Sequence, residues 1–104
     1  MNYQDIIKLV NNKDQKGLEA LYQQYAARFY SYAVTKWQLD EDGAWDVIYK
    51  TLETLILKLS NYKFESQFFF DAFLYKVFVN FIRQRFREQR GKLKSSIEFV
   101  DIDD

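Results

Sequence analysis

Cysteine, histidine and proline are absent from this 104-residue chain, and glycine occurs only at Gly17, Gly43 and Gly91. Without cysteine there is no disulfide framework and no thiol nucleophile. Without cysteine and histidine together the common zinc ligand sets are excluded, so a metal would need carboxylates alone. No metal and no cofactor is expected. A chain with no proline and three glycines has few devices for the tight turns of an all-β fold, which favours helices. Neither sign of charge dominates, because 15 basic residues face 15 acidic ones. Net charge therefore names no partner, and only its distribution can. The most apolar stretch, Phe68 to Ile82, is broken by Asp71, Lys76 and Asn80 and is too short to span a bilayer. The first ten residues carry Asp5 and Lys8 and have no long apolar run, unlike a signal peptide. A soluble, cytoplasmic protein with no membrane insertion is expected.

Hydrophobic residues make up 48% of the chain, enough for one buried core, and the length suits a single domain. Aromatic residues reach 19%, more than a small core needs, so some rings should lie at the surface as contact sites. Tyr3, Ile6, Ile7 and Val10 fall at helical spacing and predict a short first helix ending near Asn11 and Asn12. A second helix is predicted from Gln15 to about Trp37 on the repeat Leu18, Leu21, Tyr22, Tyr25, Phe29, Tyr32, Ala33. Leu39 to Gly43 reads as a loop whose acidic residues favour a helix start. The third helix should run from there to about Leu59, with Trp45, Ile48, Leu52, Leu55, Ile56 and Leu59 as its buried stripe. Ser60 to Ser66 is polar and reads as a loop. The fourth helix is predicted from about Gln67 to Gln89, with one apolar row at Phe70, Leu74, Val77 and Phe81. A second row falls at Tyr75, Val79, Ile82 and Phe86, and Gly91 offers a stop. Lys92 to Asp104 is expected to be extended or disordered. The sum is an all-α fold, a compact bundle of about four helices.

Three surfaces carry candidate chemistry. Between Lys76 and Lys94 seven basic residues stand against one acid, Glu88. Lys76, Asn80, Arg83, Arg87 and Arg90 are spaced by four, three, four and three residues, which places them on one face of helix four. Such a row can hold a phosphate backbone while the amide reads a base edge; the same spacing also suits a solvated face that keeps an aromatic helix soluble. Helix three carries Asp46, Lys50, Glu53 and Leu57 opposite its core, with Tyr49 beside them. An exposed leucine and tyrosine among mixed charges suit protein docking, and Asp46 with Lys50 equally suits a plain i,i+4 pair. In the loop, Lys63 lies between Tyr62 and Phe64. Interleaved rings and charge suit stacking on unpaired bases, and they also suit anchoring of the loop to the bundle, Phe64 above all. No catalytic spacing of carboxylates, Lys, Tyr or Ser stands out and no glycine-rich phosphate loop is present, so no enzyme is expected.

The run from about Asp5 to Arg90 resembles region 2 of bacterial extracytoplasmic-function sigma factors, and three segments carry the likeness. Gly17 to Ala33, with Leu18-Glu19-Ala20-Leu21-Tyr22, resembles the family's opening phrase and the tyrosines that follow it. Glu41 to Leu52 is similar to the polymerase-binding helix, whose usual form is a run of acids with alanine, two aliphatics, glutamine and glutamate. Phe70 to Arg87 resembles the promoter-melting helix, with Ala72, Leu74, Tyr75, Lys76 and Asn80 at matching positions. The resemblance implies that helix three docks on the clamp helices of the largest subunit of core RNA polymerase. Asp46, Tyr49, Lys50, Glu53 and Leu57 would make that contact, with Asp46 at the best-matched position. It further implies that Tyr62, Lys63, Lys76, Asn80, Arg83, Arg87 and Arg90 hold promoter DNA. The loop from Asn61 to Gln67 would capture a base flipped out of the single-stranded −10 non-template strand.

Departures from the family pattern are specific. Tyr49 and Lys50 replace glutamine and glutamate, Phe73 replaces tryptophan, and Val79 stands where a basic residue is common. The docking face would then suit a divergent polymerase. Members of the family continue into a second domain, region 4, so residues 1–90 would form region 2 and residues 91–104 an acidic tail that starts the linker. An anti-sigma factor is a further possible partner. The alternative reading is a helical interaction module, a polymerase decoy or anti-sigma-type partner, which keeps the fold without promoter activity.

Overall fold

Three of the four helices start on an Asn or Asp side chain that accepts a hydrogen bond from an amide of the first turn. Asn2 caps α1 (Tyr3–Asn11), accepting from the Asp5 N–H at 2.9 Å. Asp14 caps α2 (Gln15–Trp37), accepting from the Lys16 N–H at 3.0 Å. Asp40 caps α3 (Glu41–Lys58), accepting from the Gly43 N–H at 2.7 Å. Each satisfies an amide that has no partner within its own helix. A 3₁₀ turn, Leu59–Asn61, and the irregular segment 62–66 lead to α4 (Gln67–Phe99). The structure, a computed structural model, describes residues 1–99 and the side chains of residues 1–90. Among the described residues there is no strand, and the fold is all-α as the sequence predicts.

Every helix feeds one core. Ile6 and Val10 of α1, Leu21, Tyr25 and Phe29 of α2, and Val47, Ile48, Leu52 and Leu55 of α3 are buried together with Phe70, Leu74, Phe78 and Ile82 of α4. Phe29 sits at the centre, stacked on Phe78 at a centroid distance of 4.3 Å and meeting the edge of Tyr75 at 5.0 Å. Burying one such ring contributes roughly 1.5–3 kcal/mol. α1 crosses α2 closely at Gly17, where a Cβ would lie 3.0 Å from the Val10 amide nitrogen. A larger residue would push the two helices apart.

Four expectations are corrected. α3 begins at Glu41, two residues before the anticipated end of the loop at Gly43, because Asp40 already serves as the cap. The buried row of α4 runs Phe70, Leu74, Phe78, Ile82; Phe78 is fully enclosed, whereas Val77, Phe81, Tyr75, Val79 and Phe86 are only half-buried at its margins. Leu18 and Tyr22 of α2 and, in part, Trp45 and Ile56 of α3 leave the core for the surface. Finally, α4 does not stop at Gly91 but continues to Phe99. A glycine permits a left-handed stop without compelling one, and Arg90, Lys92, Leu93 and Lys94 around it favour the helix. The rest of the expected tail, residues 100–104, lies outside the described residues. Among the described residues no helix is long and apolar enough to cross a membrane.

Candidate nucleic-acid and protein-docking faces

The helical register of α4 sets its outer face. With Phe70, Leu74, Phe78 and Ile82 inward, Lys76, Asn80, Arg83, Arg87 and Arg90 are all exposed. Among the described residues the ion pairs are Lys50 with Asp46 and Arg85 with Asp46, so Lys76 and Arg83 are not neutralised by any described carboxylate. Lys76 and Asn80 open onto a cleft of about 360 Å³ between the end of α3 and α4, where Lys58, Gln84 and the rings of Tyr62 and Phe73 also stand. A second hollow of about 410 Å³ shares Phe73 and Lys76 and adds Lys63, Phe64 and Phe69. Phe73 and Lys76 thus form a ridge with a ring-walled hollow on each side. Rings can stack on bases, and lysines at the rim can meet phosphates.

The loop that completes this face is held from below. Tyr62 lies on Phe73 at a centroid distance of 4.6 Å, and Phe64 meets the edge of Phe70 at 5.3 Å. The Tyr3 hydroxyl of α1 donates to the Phe64 carbonyl at 3.3 Å. Beneath the start of α4, the Tyr25 hydroxyl donates to Asp71 Oδ1 at 2.5 Å, and Gln67 Nε2 donates to the same oxygen at 3.0 Å. Burial, and then the bond to Asp71, pushes the Tyr25 phenol well above the ordinary tyrosine range, so it remains a neutral donor. Tyr62 and Lys63 are exposed, whereas Phe64 is half-buried, the anchoring role its ring suggested.

Along α3, Tyr49, Lys50, Glu53 and Leu57 are exposed, Leu57 to 76%, and Asp46 is half-buried. They form a stripe but do not share one hollow. Tyr49 and Glu53 line a groove of about 430 Å³ with Leu18 and Tyr22, and Leu57 lines another with Val10 and Ile56. Trp45 stacks between Tyr22, at 6.2 Å, and Tyr49, at 5.8 Å, which joins α2 and α3 into one aromatic surface. Leu18 and Tyr22 belong to the apolar repeat that predicts α2, yet both are exposed. Their only signal is that the apolar arc of α2 is wider than the stripe its neighbours can cover. The Asp46 carboxylate is already engaged, since its Oδ2 accepts both Lys50 Nζ and Arg85 Nη1 at 3.2 Å.

No family model, curated protein or solved structure matches the chain. The surfaces therefore stand on their own chemistry. Among the described residues no three acidic side chains are grouped as a metal ion would require.

Proposed function

We propose that the chain is a transcription-initiation domain of the extracytoplasmic-function sigma type, which binds the clamp helices of core RNA polymerase and recognises and opens the −10 promoter element. One observation carries this reading: an exposed row of cations with Asn80 borders two ring-walled hollows formed by the loop and α4. A single strand needs both parts, cations for its phosphates and rings for its unstacked bases. The order and spacing of the three resembling segments support the same reading. The stripe Asp46, Tyr49, Lys50, Glu53 and Leu57 of α3 then serves as the docking face. Strand opening on this reading is driven by binding: unstacking a base costs a few kcal/mol, which stacking and hydrogen bonds in a hollow offset. The domain would supply no covalent chemistry of its own. Cytoplasmic location and a possible anti-sigma partner belong to the same proposal.

The test is a titration of the folded chain against a fluorescent single-stranded −10-like oligonucleotide, its duplex, and a clamp-helix fragment of core polymerase. Preference for the single strand, lost on Asn80→Ala, together with clamp-helix binding lost on Leu57→Asp, supports the proposal. Equal affinity for any duplex would count against it. The aromatic surface of Tyr22, Trp45 and Tyr49 favours a second reading, an interaction module without promoter activity. Such a module would bind its protein partner and be indifferent to Asn80→Ala.

A further inference from the structure

Arg85 belongs to the basic run of α4 but not to its exposed row. Its side chain turns back over the first turn of α3, with its outer nitrogen on Asp46 Oδ2 at 3.2 Å. The guanidinium passes so near Gly43 that a Cβ there would lie 3.0 Å from Nε and 3.2 Å from Nη2. Gly43 therefore has a physical role as the gap through which Arg85 reaches Asp46. The Nε is enclosed and has no acceptor, so the side chain is committed by packing to this path rather than free to follow solvent. Ile82 is the last fully buried residue of α4 that the structure describes, and Phe86, at 5.9 Å from Trp37, is a half-buried contact beyond it. Arg85 lies between these points, where α4 leaves the bundle and carries Arg83, Arg87 and Arg90.

We infer that Arg85 is a positioning residue: through Asp46 it clamps α4 to the start of α3 and holds the cation row at a fixed angle to the ring-walled hollows, without itself meeting phosphate. The consequence for nucleic acid rests on the proposed function; the clamp itself does not. The inference also changes the role of Asp46. One oxygen of its half-exposed carboxylate is shared by Lys50 and Arg85, so its effect on the nucleic-acid face is transmitted through α4.

The experiment titrates the full chain with a single-stranded oligonucleotide over a range of sodium chloride. Each cation that neutralises a phosphate adds about 0.7 to the slope of log affinity against log salt for a single strand. Arg83→Gln is expected to lower that slope. Arg85→Gln is expected to weaken binding several-fold at every salt concentration with the slope unchanged. Asp46→Asn gives the sharpest sign: removing an acid beside a cation row should strengthen binding by charge alone, whereas loss of the clamp weakens it. The double variant should be no weaker than either single one. A reduced slope for Arg85→Gln, or tighter binding by Asp46→Asn, would overturn the inference. If the parent chain binds no single strand, the proposed function fails at this face, and the clamp is judged by melting temperatures of the parent, Arg85→Gln, Asp46→Asn and their double variant. A double-variant shift smaller than the sum of the two single shifts upholds it; additive shifts overturn it.

Discussion

Tyr25 shows how one side chain can tie a fold to its surface. Its ring is in the core against Phe29 and Phe70, while its hydroxyl reaches Asp71 below the loop that completes the α4 face. A raised phenol pKa has a definite sign in stability. The folded state holds the proton that the unfolded chain releases near pH 10, so this contribution is full below about pH 10 and is lost as pH rises above it. Melting temperatures from pH 8 to 11 should therefore fall at the alkaline end, and Tyr25→Phe should flatten that fall. An unchanged slope in the variant would assign the alkaline loss to other groups. Phe29→Ala tests the same core from its centre. It removes a fully enclosed ring stacked on Phe78 and should cost about 3–5 kcal/mol, measured by urea denaturation.

At the scale of elements, the turn between α2 and α3 is the most informative. Gln38 adopts a left-handed conformation at φ 57, and the Leu39 N–H closes back on the Ala33 carbonyl at 3.1 Å. Glycine suits that backbone better than any residue with a Cβ, so Gln38→Gly should raise stability by up to about 1 kcal/mol. Two residues on, Asp40→Ala should lower it by about 1 kcal/mol, because the Gly43 amide loses its acceptor. Urea midpoints would check both, and opposite signs within three residues would separate backbone strain from capping. The helices themselves were legible. The limits of α1 and α2 and the start of α4 follow from apolar spacing and from polar caps, which are local signals. The end of α4 was not, since Gly91 can sit within a helix and only neighbouring propensity decides whether it stops there.

At the scale of the whole molecule, the bundle separates two faces. Cations and ring-walled hollows lie on one, and the Tyr49, Glu53 and Leu57 stripe lies on another. Independent faces should be separable by mutation. Leu57→Asp, at a highly exposed position, should change stability by no more than about 0.5 kcal/mol and leave single-strand affinity unchanged. Lys76→Gln should weaken single-strand binding and spare docking to a clamp-helix fragment. Anisotropy titrations of both variants against both probes would show whether the faces are distinct.

The sequence by itself determined the helical class, most helix limits, and the shared face of Lys76, Asn80, Arg83, Arg87 and Arg90. These follow from a 3.6-residue period that acts within one element. Only the tertiary structure decided which rings of α4 are core, because Phe78 is enclosed by Phe29, a partner 49 positions away along the chain. It alone brought Leu18 and Tyr22 beside Tyr49 to make a surface, and it alone gave Arg85, which the spacing leaves off the cation row, its partner Asp46 across a gap left by Gly43. Periodicity ranks residues by the face of their own helix. Burial and ion pairing depend on which other helix covers that face, and that is settled only when the helices meet.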